Sequence, residues 1–329
     1  MNASNTGRPG ADQPGTGRAQ DVRRPDSEVP PGEPGGIAGF VDLLRLDEVG
    51  TDRFQGWCHA GAHRRVFGGH VVAQALAAAG RAAGAGRVAH SLHSNFVRPC
   101  DPRLPLVYEV ERLRDGHSYT TRRVTAIQRE EVVFTLSASF KQPGGGPVRQ
   151  GEMPRVPGPG VLPDPYAANT RSGDADSDDY WRSTVRLTFD GRYVPHDWEG
   201  LPERTAGVEE QFVWMKSATE LPADDPLLHA CALVYLSDLT LSSTTAQHLR
   251  ASGAQDGEPP LVSIASLDHA MWFHQPFRVD EYLLFAQRSP VAADGRGFAQ
   301  GEFWTEDGVL VASVVQEALI WERRRLRKS

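Results

Sequence analysis

The chain has 329 residues, of which 40% are apolar and 8% aromatic, enough to bury a sizeable core. Its formal net charge of −7 argues against a nucleic-acid partner. Only Lys141, Lys216 and Lys328 are lysines among the 35 basic residues, an arginine bias that reads as genomic composition. Three widely spaced cysteines, Cys58, Cys100 and Cys231, suit a reducing compartment and exclude a disulfide scaffold. No segment approaches a run of roughly 18 apolar residues or resembles a signal peptide. The expectation is a cytoplasmic protein without membrane insertion.

Residues 1–36 hold 13 Gly or Pro and almost no large apolar side chain, the composition of a disordered tail. A first block, 37–142, predicts a small-residue helix from about 70 to 83, opened by Gly68-Gly69. Four strands follow at 88–97, 105–114, 118–129 and 132–141, separated by turn signals such as Asp115-Gly116 and the charged Arg129-Glu-Glu131. Residues 143–179 read as a Pro/Gly-rich linker, with 13 Gly or Pro packed into 143–165. The second block, 180–322, predicts a helix near Pro226 with Asp225 as N-cap and proline at the first helical position. Its strands fall at 262–273, 281–290, 297–305 and 308–321, with turns at Asp294-Gly295 and Asp307-Gly308. Residues 323–329 form a basic tail. The tail and linker take 26 of the 57 Gly and Pro residues, so these residues mark boundaries rather than low complexity throughout.

The two blocks match at a single offset of 177 residues. It carries Phe96 onto Phe273, Pro99 onto Pro276 and Leu106-Val-Tyr108 onto Leu283-Leu-Phe285. A helix followed by a meander of long strands, written twice, is a duplication. Strands rich in Val, Thr, Phe and Tyr with one buried helix per repeat give an α+β class, an antiparallel sheet wrapped around a long helix. Two such sheets can pair edge to edge and hide their open edges.

Several segments resemble the acyl-CoA thioesterase II family. They include Val66-Phe-Gly-Gly-His-Val-Val-Ala-Gln-Ala-Leu76, His93-Ser-Asn-Phe-Val-Arg-Pro99 and Leu113-Arg-Asp-Gly-His-Ser-Tyr119. Leu267-Asp-His-Ala-Met-Trp-Phe-His-Gln-Pro276, Arg296-Gly-Phe-Ala-Gln-Gly-Glu-Phe303 and Asp307-Gly-Val-Leu-Val-Ala-Ser-Val-Val-Gln-Glu317 continue the likeness in the family's order. The resemblance implies a double hotdog fold, an acyl-CoA substrate and hydrolysis of its thioester. It also implies a catalytic set of Asp, Ser or Thr, and Gln, matching Asp238, Ser266 and Gln316, and pairing of chains into a homo-oligomer. Cys100 stands where the family has Gly.

The residues themselves bear on this chemistry. Asp238 lies in the apolar stretch Ala230-Cys-Ala-Leu-Val-Tyr-Leu-Ser-Asp-Leu-Thr-Leu241, where a carboxylate is costly unless paired or used. Its alternative is a helix-terminal residue turned to solvent. Ser266 opens the strand reaching Trp272, and unbroken alternation puts it with Asp268 and Ala270, opposite Leu267, His269 and Met271. Gln316 interrupts an apolar strand, and a buried amide needs partners at both ends. The duplication is an internal control, since Ala89 falls opposite Ser266 and Ser139 opposite Gln316. The first helix, aligned through Gly68-Gly69, offers Leu76-Ala77 in place of an acid. One site per chain, armed by the second repeat and walled by the first, accounts for that difference.

Thioester hydrolysis needs no cofactor, only an oriented water, a base and donors for the oxyanion. Asp238 is expected to take the proton of a water held by Ser266 and Gln316, with direct attack by Asp238 to give an anhydride as the alternative chemistry. Gly68, Gly69, Asp268 and His269 are expected on the substrate side. Gly68-Gly69 is not a phosphate loop, since no Gly-Lys-Ser/Thr follows. Cys58, His59, His63 and His70 match no common zinc spacing, so no metal is expected. A hotdog hydratase and a non-catalytic acyl-CoA-binding module are the competing readings.

Overall fold

The computed structural model describes residues 40–59, 65–163, 188–201, 206–247 and 262–322. The tails read at 1–36 and 323–329, and the far part of the linker, lie outside the described residues. The first repeat opens with a short helix α1 (Phe40–Leu43) and strands β1 (Asp47–Gly50) and β2 (Arg53–Gly56). Helix α2 (Gly68–Ala83) and strands β3 (Val88–Phe96), β4 (Leu106–Asp115), β5 (Tyr119–Gln128) and β6 (Glu131–Lys141) complete it. The second repeat contains β7 (Phe189–Tyr193), β8 (Glu209–Ser217), helix α3 (Pro226–Ser237) and the short α4 (Leu241–Thr244). Strands β9 (Val262–Ser266), β10 (Asp268–Phe273), β11 (Leu283–Ala293), β12 (Arg296–Thr305) and β13 (Leu310–Glu322) follow.

The described strands form one 13-stranded sheet in the order β1-β2-β4-β5-β6-β3-β10-β13-β12-β11-β8-β7, with β9 paired to β13 beside that path. The order is symmetric about the antiparallel junction of β3 and β10. A shift of 177 residues carries β5 onto β12 end for end, so the duplication seen in sequence is a duplication of strands. Edge-to-edge pairing of the two halves occurs through β3 and β10, where Ala270 faces His93. Each of β1, β2, β7 and β8 escaped the sequence reading because four to nine residues of mixed polarity carry little periodic signal.

Helices α2 and α3 pack against each other on the inner face of the sheet. α2 is built from small residues, and an added Cβ on its Gly80 would stand 2.4 Å from Leu227 Cδ2, so the helix contact is close. α3 is buried from His229 through Ser237 and has no polar face. It starts as the sequence indicates, with Asp225 Oδ1 accepting from Leu228 N at 2.9 Å and proline in the first turn. Residues 143–163 lie on the second repeat. Pro157 O accepts from Trp214 Nε1 at 2.7 Å, and Gln150 bonds to both Gly308 O and Leu310 N. Leu162, Trp214, Leu284 and Trp304 share a small apolar cluster beneath this segment. Among the described residues no helix is long and apolar enough to cross a membrane.

The ends of the two helices are treated differently. The carboxyl end of α2 is capped by Arg122, fully buried, whose Nε and Nη2 donate to Ala82 O at 3.0 and 2.8 Å. A guanidinium is well placed at the negative end of a helix. The hairpin between β5 and β6 turns on Arg129 and Glu130, both with positive φ (52° and 66°), where glycine or asparagine is usual. Glu130→Gly is therefore expected to raise unfolding free energy by up to about 1 kcal/mol, read as a higher urea midpoint with an unchanged m-value.

Candidate active site

α3 ends at Ser237, and Asp238 is its C-cap residue, with φ −82° and ψ −9°. It is helix-terminal but not turned to solvent, since only 7% of its surface is exposed. A carboxylate at the negative end of a helix and out of water is doubly disfavoured. What offsets this is the other helix. Gly69 N, in the first turn of α2, donates to Asp238 Oδ2 at 2.6 Å, so the carboxylate sits at the positive end of α2. Gln316 Nε2 donates to Asp238 Oδ1 at 2.7 Å and to Ser266 Oγ at 2.7 Å. Asp238, Ser266 and Gln316, far apart in sequence, are thus brought into one hydrogen-bonded group.

Burial pushes the Asp238 carboxyl up to about 6, against the opposing pull of its bonds from Gln316, Gly69 and Ser266. Among the described residues no charged side chain bonds to it, and the donors that hold it are neutral.

The glycine pair makes this approach possible. An added Cβ on Gly68 would lie 2.9 Å from Asp238 Oδ2, and one on Gly69 would lie 2.9 Å from Tyr235 O. Gly69 N–H is spent on Asp238. Gly68 N–H, the first of α2, has no intrahelical partner by position, and Gly68 lines the cavity beside Asp238.

Ser266 reaches the site through a break in its strand. β9 pairs with β13 with Ser266 opposite Ala318, whereas β10 pairs with it with Ala270 opposite Val315. One residue is gained between the two, with Leu267 N donating to Glu317 O and Asp268 Oδ1 accepting from Glu317 N at 2.7 Å. This bulge reverses the alternation expected from sequence, so Ser266 shares the inner face with His269 rather than with Asp268. Asp268 is held by the backbone of β13, and His269 is fully buried with Nε2 2.9 Å from Ser237 Oγ. Neither is among the residues that line the cavity, and nor are Gly69 and Gln316.

The cavity has a volume of about 510 Å³ and reaches Asp238 and Ser266. Its walls come from both repeats, with Phe67, Val71 and Phe96 from the first and Leu239, Ile264 and Trp321 from the second. Arg65 and Arg98 also border it, as does Cys100. The apolar wall residues Val71, Leu239 and Ile264 did not stand out in the sequence, because an apolar residue facing a cavity looks like any core residue. α2, longer by four residues, carries Gly84 at its C-cap where α3 carries Asp238.

Cys58, His59 and His70 belong to a separate polar cluster around Gln74. His70 Nδ1 accepts from His59 N and its Nε2 bonds to Leu43 O at 2.6 Å. His59 Nε2 lies 2.8 Å from Tyr235 Oη, and Tyr108 Oη donates to Gln74 Oε1 at 2.9 Å. His63 lies outside the described residues. The cluster joins α1, α2 and α3 beneath the candidate site.

Known structures of this shape are hotdog-fold proteins. A hot dog fold protein of Alicyclobacillus acidocaldarius aligns with a TM-score of 0.63 at 22% identity, covering 87% of this chain and 98% of its own. An acyl-CoA thioesterase II of Mycobacterium marinum aligns with a TM-score of 0.72 and 37% identity over 86% of this chain and 98% of its own. Human acyl-coenzyme A thioesterase 8 is 32% identical over 92% of this chain and 95% of its own. Acyl-CoA thioesterase 2 of Haemophilus influenzae is 32% identical over 86% and 97%. The family model for acyl-CoA thioesterase matches residues 187–319, and that for the acyl-CoA thioesterase N-terminal domain matches 55–141. The chain belongs to the acyl-CoA thioesterase family.

A carboxyl whose folded-state value is raised binds its proton more tightly when folded. Stability is therefore lost as pH rises from about 4 to about 6, by up to about 3 kcal/mol for a shift of this size. Asp238→Asn is expected to remove that loss. Urea unfolding at pH 5 and pH 8 should show the variant gaining on the wild type at the higher pH.

Proposed function

We propose that Asp238 is the general base of an acyl-CoA thioesterase that releases a free fatty acid and CoA. Hydrolysis of acyl-CoA thioesters comes with membership of the family. The observation that carries the assignment is a buried carboxylate, held by neutral donors, opening on a cavity of ligand size. A value near 6 suits a base working at neutral pH, where it is mostly ionised yet still basic enough to take a proton. We read the two halves of the sheet, each with its helix, as a double hotdog.

In this reading a water bound to Ser266 Oγ gives its proton to Asp238 as it attacks the thioester carbon. Both hydrogens of Gln316 Nε2 go to Asp238 and Ser266, so Gln316 orders the two groups and the water falls to Ser266. Gly68 N–H, with the positive end of α2 behind it, faces the charge that develops on the carbonyl oxygen. Collapse of the tetrahedral intermediate expels CoA as a thiolate, a good leaving group that needs no metal. Arg65 and Arg98 at the border of the cavity suit the phosphates of the nucleotide end.

Thiol release from palmitoyl-CoA is the direct assay. Asp238→Asn should lower kcat by at least about a hundredfold, and Ser266→Ala and Gln316→Ala by about tenfold or more. The wild-type rate should rise with pH through about 6 and then level off, because the ionised carboxylate is the active form. A folded Asp238→Asn protein with unchanged kcat would overturn the assignment.

A further inference from the structure

Two buried polar atoms beside the candidate base lack a hydrogen-bond partner: Gln316 Oε1 and His269 Nδ1. Buried groups of this kind are paired in nearly every folded protein. Continuing the β10–β13 register by one residue beyond Ala270 and Val315 sets His269 directly across from Gln316. Both side chains are on the inner face and fully buried. Cross-strand neighbours of this kind have Cβ atoms about 5 Å apart, within reach of a side-chain hydrogen bond.

Ser237 decides which ring nitrogen carries the proton. Its Oγ is 2.8 Å from Val234 O and 2.9 Å from His269 Nε2. If its hydroxyl donates to Val234 O, Nε2 must be the protonated nitrogen. Nδ1 then turns a lone pair toward the amide oxygen, leaving two acceptors buried and unsatisfied. If the hydroxyl donates to Nε2 it gives up Val234 O, and in exchange Nδ1 carries the hydrogen and both orphaned atoms are satisfied at once.

We propose that His269 is a positioning residue for the thioester hydrolysis, held as the neutral Nδ1–H form by Ser237 and donating to Gln316 Oε1, so that the amide turns Nε2 toward Asp238 and Ser266. Burial pushes the imidazole down to about 4, keeping it neutral at working pH, and Gln316 is the side chain that opposes this, as an acceptor facing a ring N–H does. The proposal rests on the reading of Asp238 as the base.

The contribution belongs to one half of the cycle. While Asp238 is ionised, its own charge selects the amide N–H. Once it has taken the proton, it can donate to an amide oxygen as readily as it accepts from the nitrogen. His269 then holds the amide orientation, and Gln316 is returned ready for the next water. Without His269 the amide can flip and accept from protonated Asp238, which favours the protonated acid. The groups acting on Asp238 from α2, β9 and β13 are Gly69 N–H, Ser266 and Gln316, none of them charged, so a shift in its titration reports on this network.

Nitrogen-15 NMR of the histidine-labelled protein reads the form directly. His269 should show a protonated Nδ1 and an unprotonated Nε2, unchanged between about pH 5.5 and 8. A protonated Nε2, or titration in that range, would overturn the proposal, and this measurement uses the wild type. His269→Asn keeps a donor near the Nδ1 position, whereas His269→Gln places its amide nearer Nε2 and His269→Phe has none. The Gln and Phe variants should lose kcat by about tenfold to a hundredfold with KM little changed, and their acid limb should move above 6. The Asn variant should recover most of both. In a Gln316→Ala background, His269→Phe should add no further loss. Equal losses in the Asn and Gln variants, or additive losses with Gln316→Ala, would mean a packing role only. Full activity of Asp238→Asn would instead remove the base assignment and leave the NMR result standing.

Discussion

The carboxylate of Asp238 is kept out of water at the meeting of two helices, and much of the molecule is arranged around that burial. It stands at the negative end of α3, where its charge is least welcome, and at the positive end of α2, where Gly69 N–H receives it. This balance requires the two helices to pass close together. Close passage in turn requires Gly68-Gly69 at the start of α2 and small residues along its length. A carboxylate stabilised by neutral donors, without a cation, keeps a raised proton affinity. A salt bridge in the same place would have lowered it.

The duplicated architecture offers two helix ends of this sort and develops only one. At the carboxyl end of α2 the buried Arg122 satisfies Ala82 O. At the carboxyl end of α3 an acid is the C-cap residue, and a cavity opens beside it. The first repeat still contributes, because its α2 terminus and the residues after β3 form one wall of that cavity. A half-chain from either repeat would lack part of the site.

Much of this organisation was legible in the sequence. The long strands after each helix were placed to within a few residues, since Val, Thr and aromatic residues in alternation are a strong signal and the offset of 177 repeats it. The cap of α3 was legible for the same reason, a local motif with a local cause. The short strands β1, β2, β7 and β8 were not, because they are recruited by the edges of a sheet that already exists. Nor was the turn at Arg129-Glu130, whose left-handed backbone has no glycine to announce it.

The sequence by itself determined the repeated pattern of helix and long strands and the chemical types concentrated in the second copy: an acid in an apolar helix, a hydroxyl at a strand end and an amide in a core strand. Local composition and periodicity suffice for these, because propensity and patterning act over a few residues. Which polar groups face one another was decided only by the tertiary structure. One extra residue at Leu267 reversed the strand's phase, taking Asp268 to the backbone of β13 and setting His269 beside Gln316 on the inner face. The proton affinity of Asp238 was likewise decided there, since its desolvation depends on how closely two helices cross, a distance that no stretch of sequence contains.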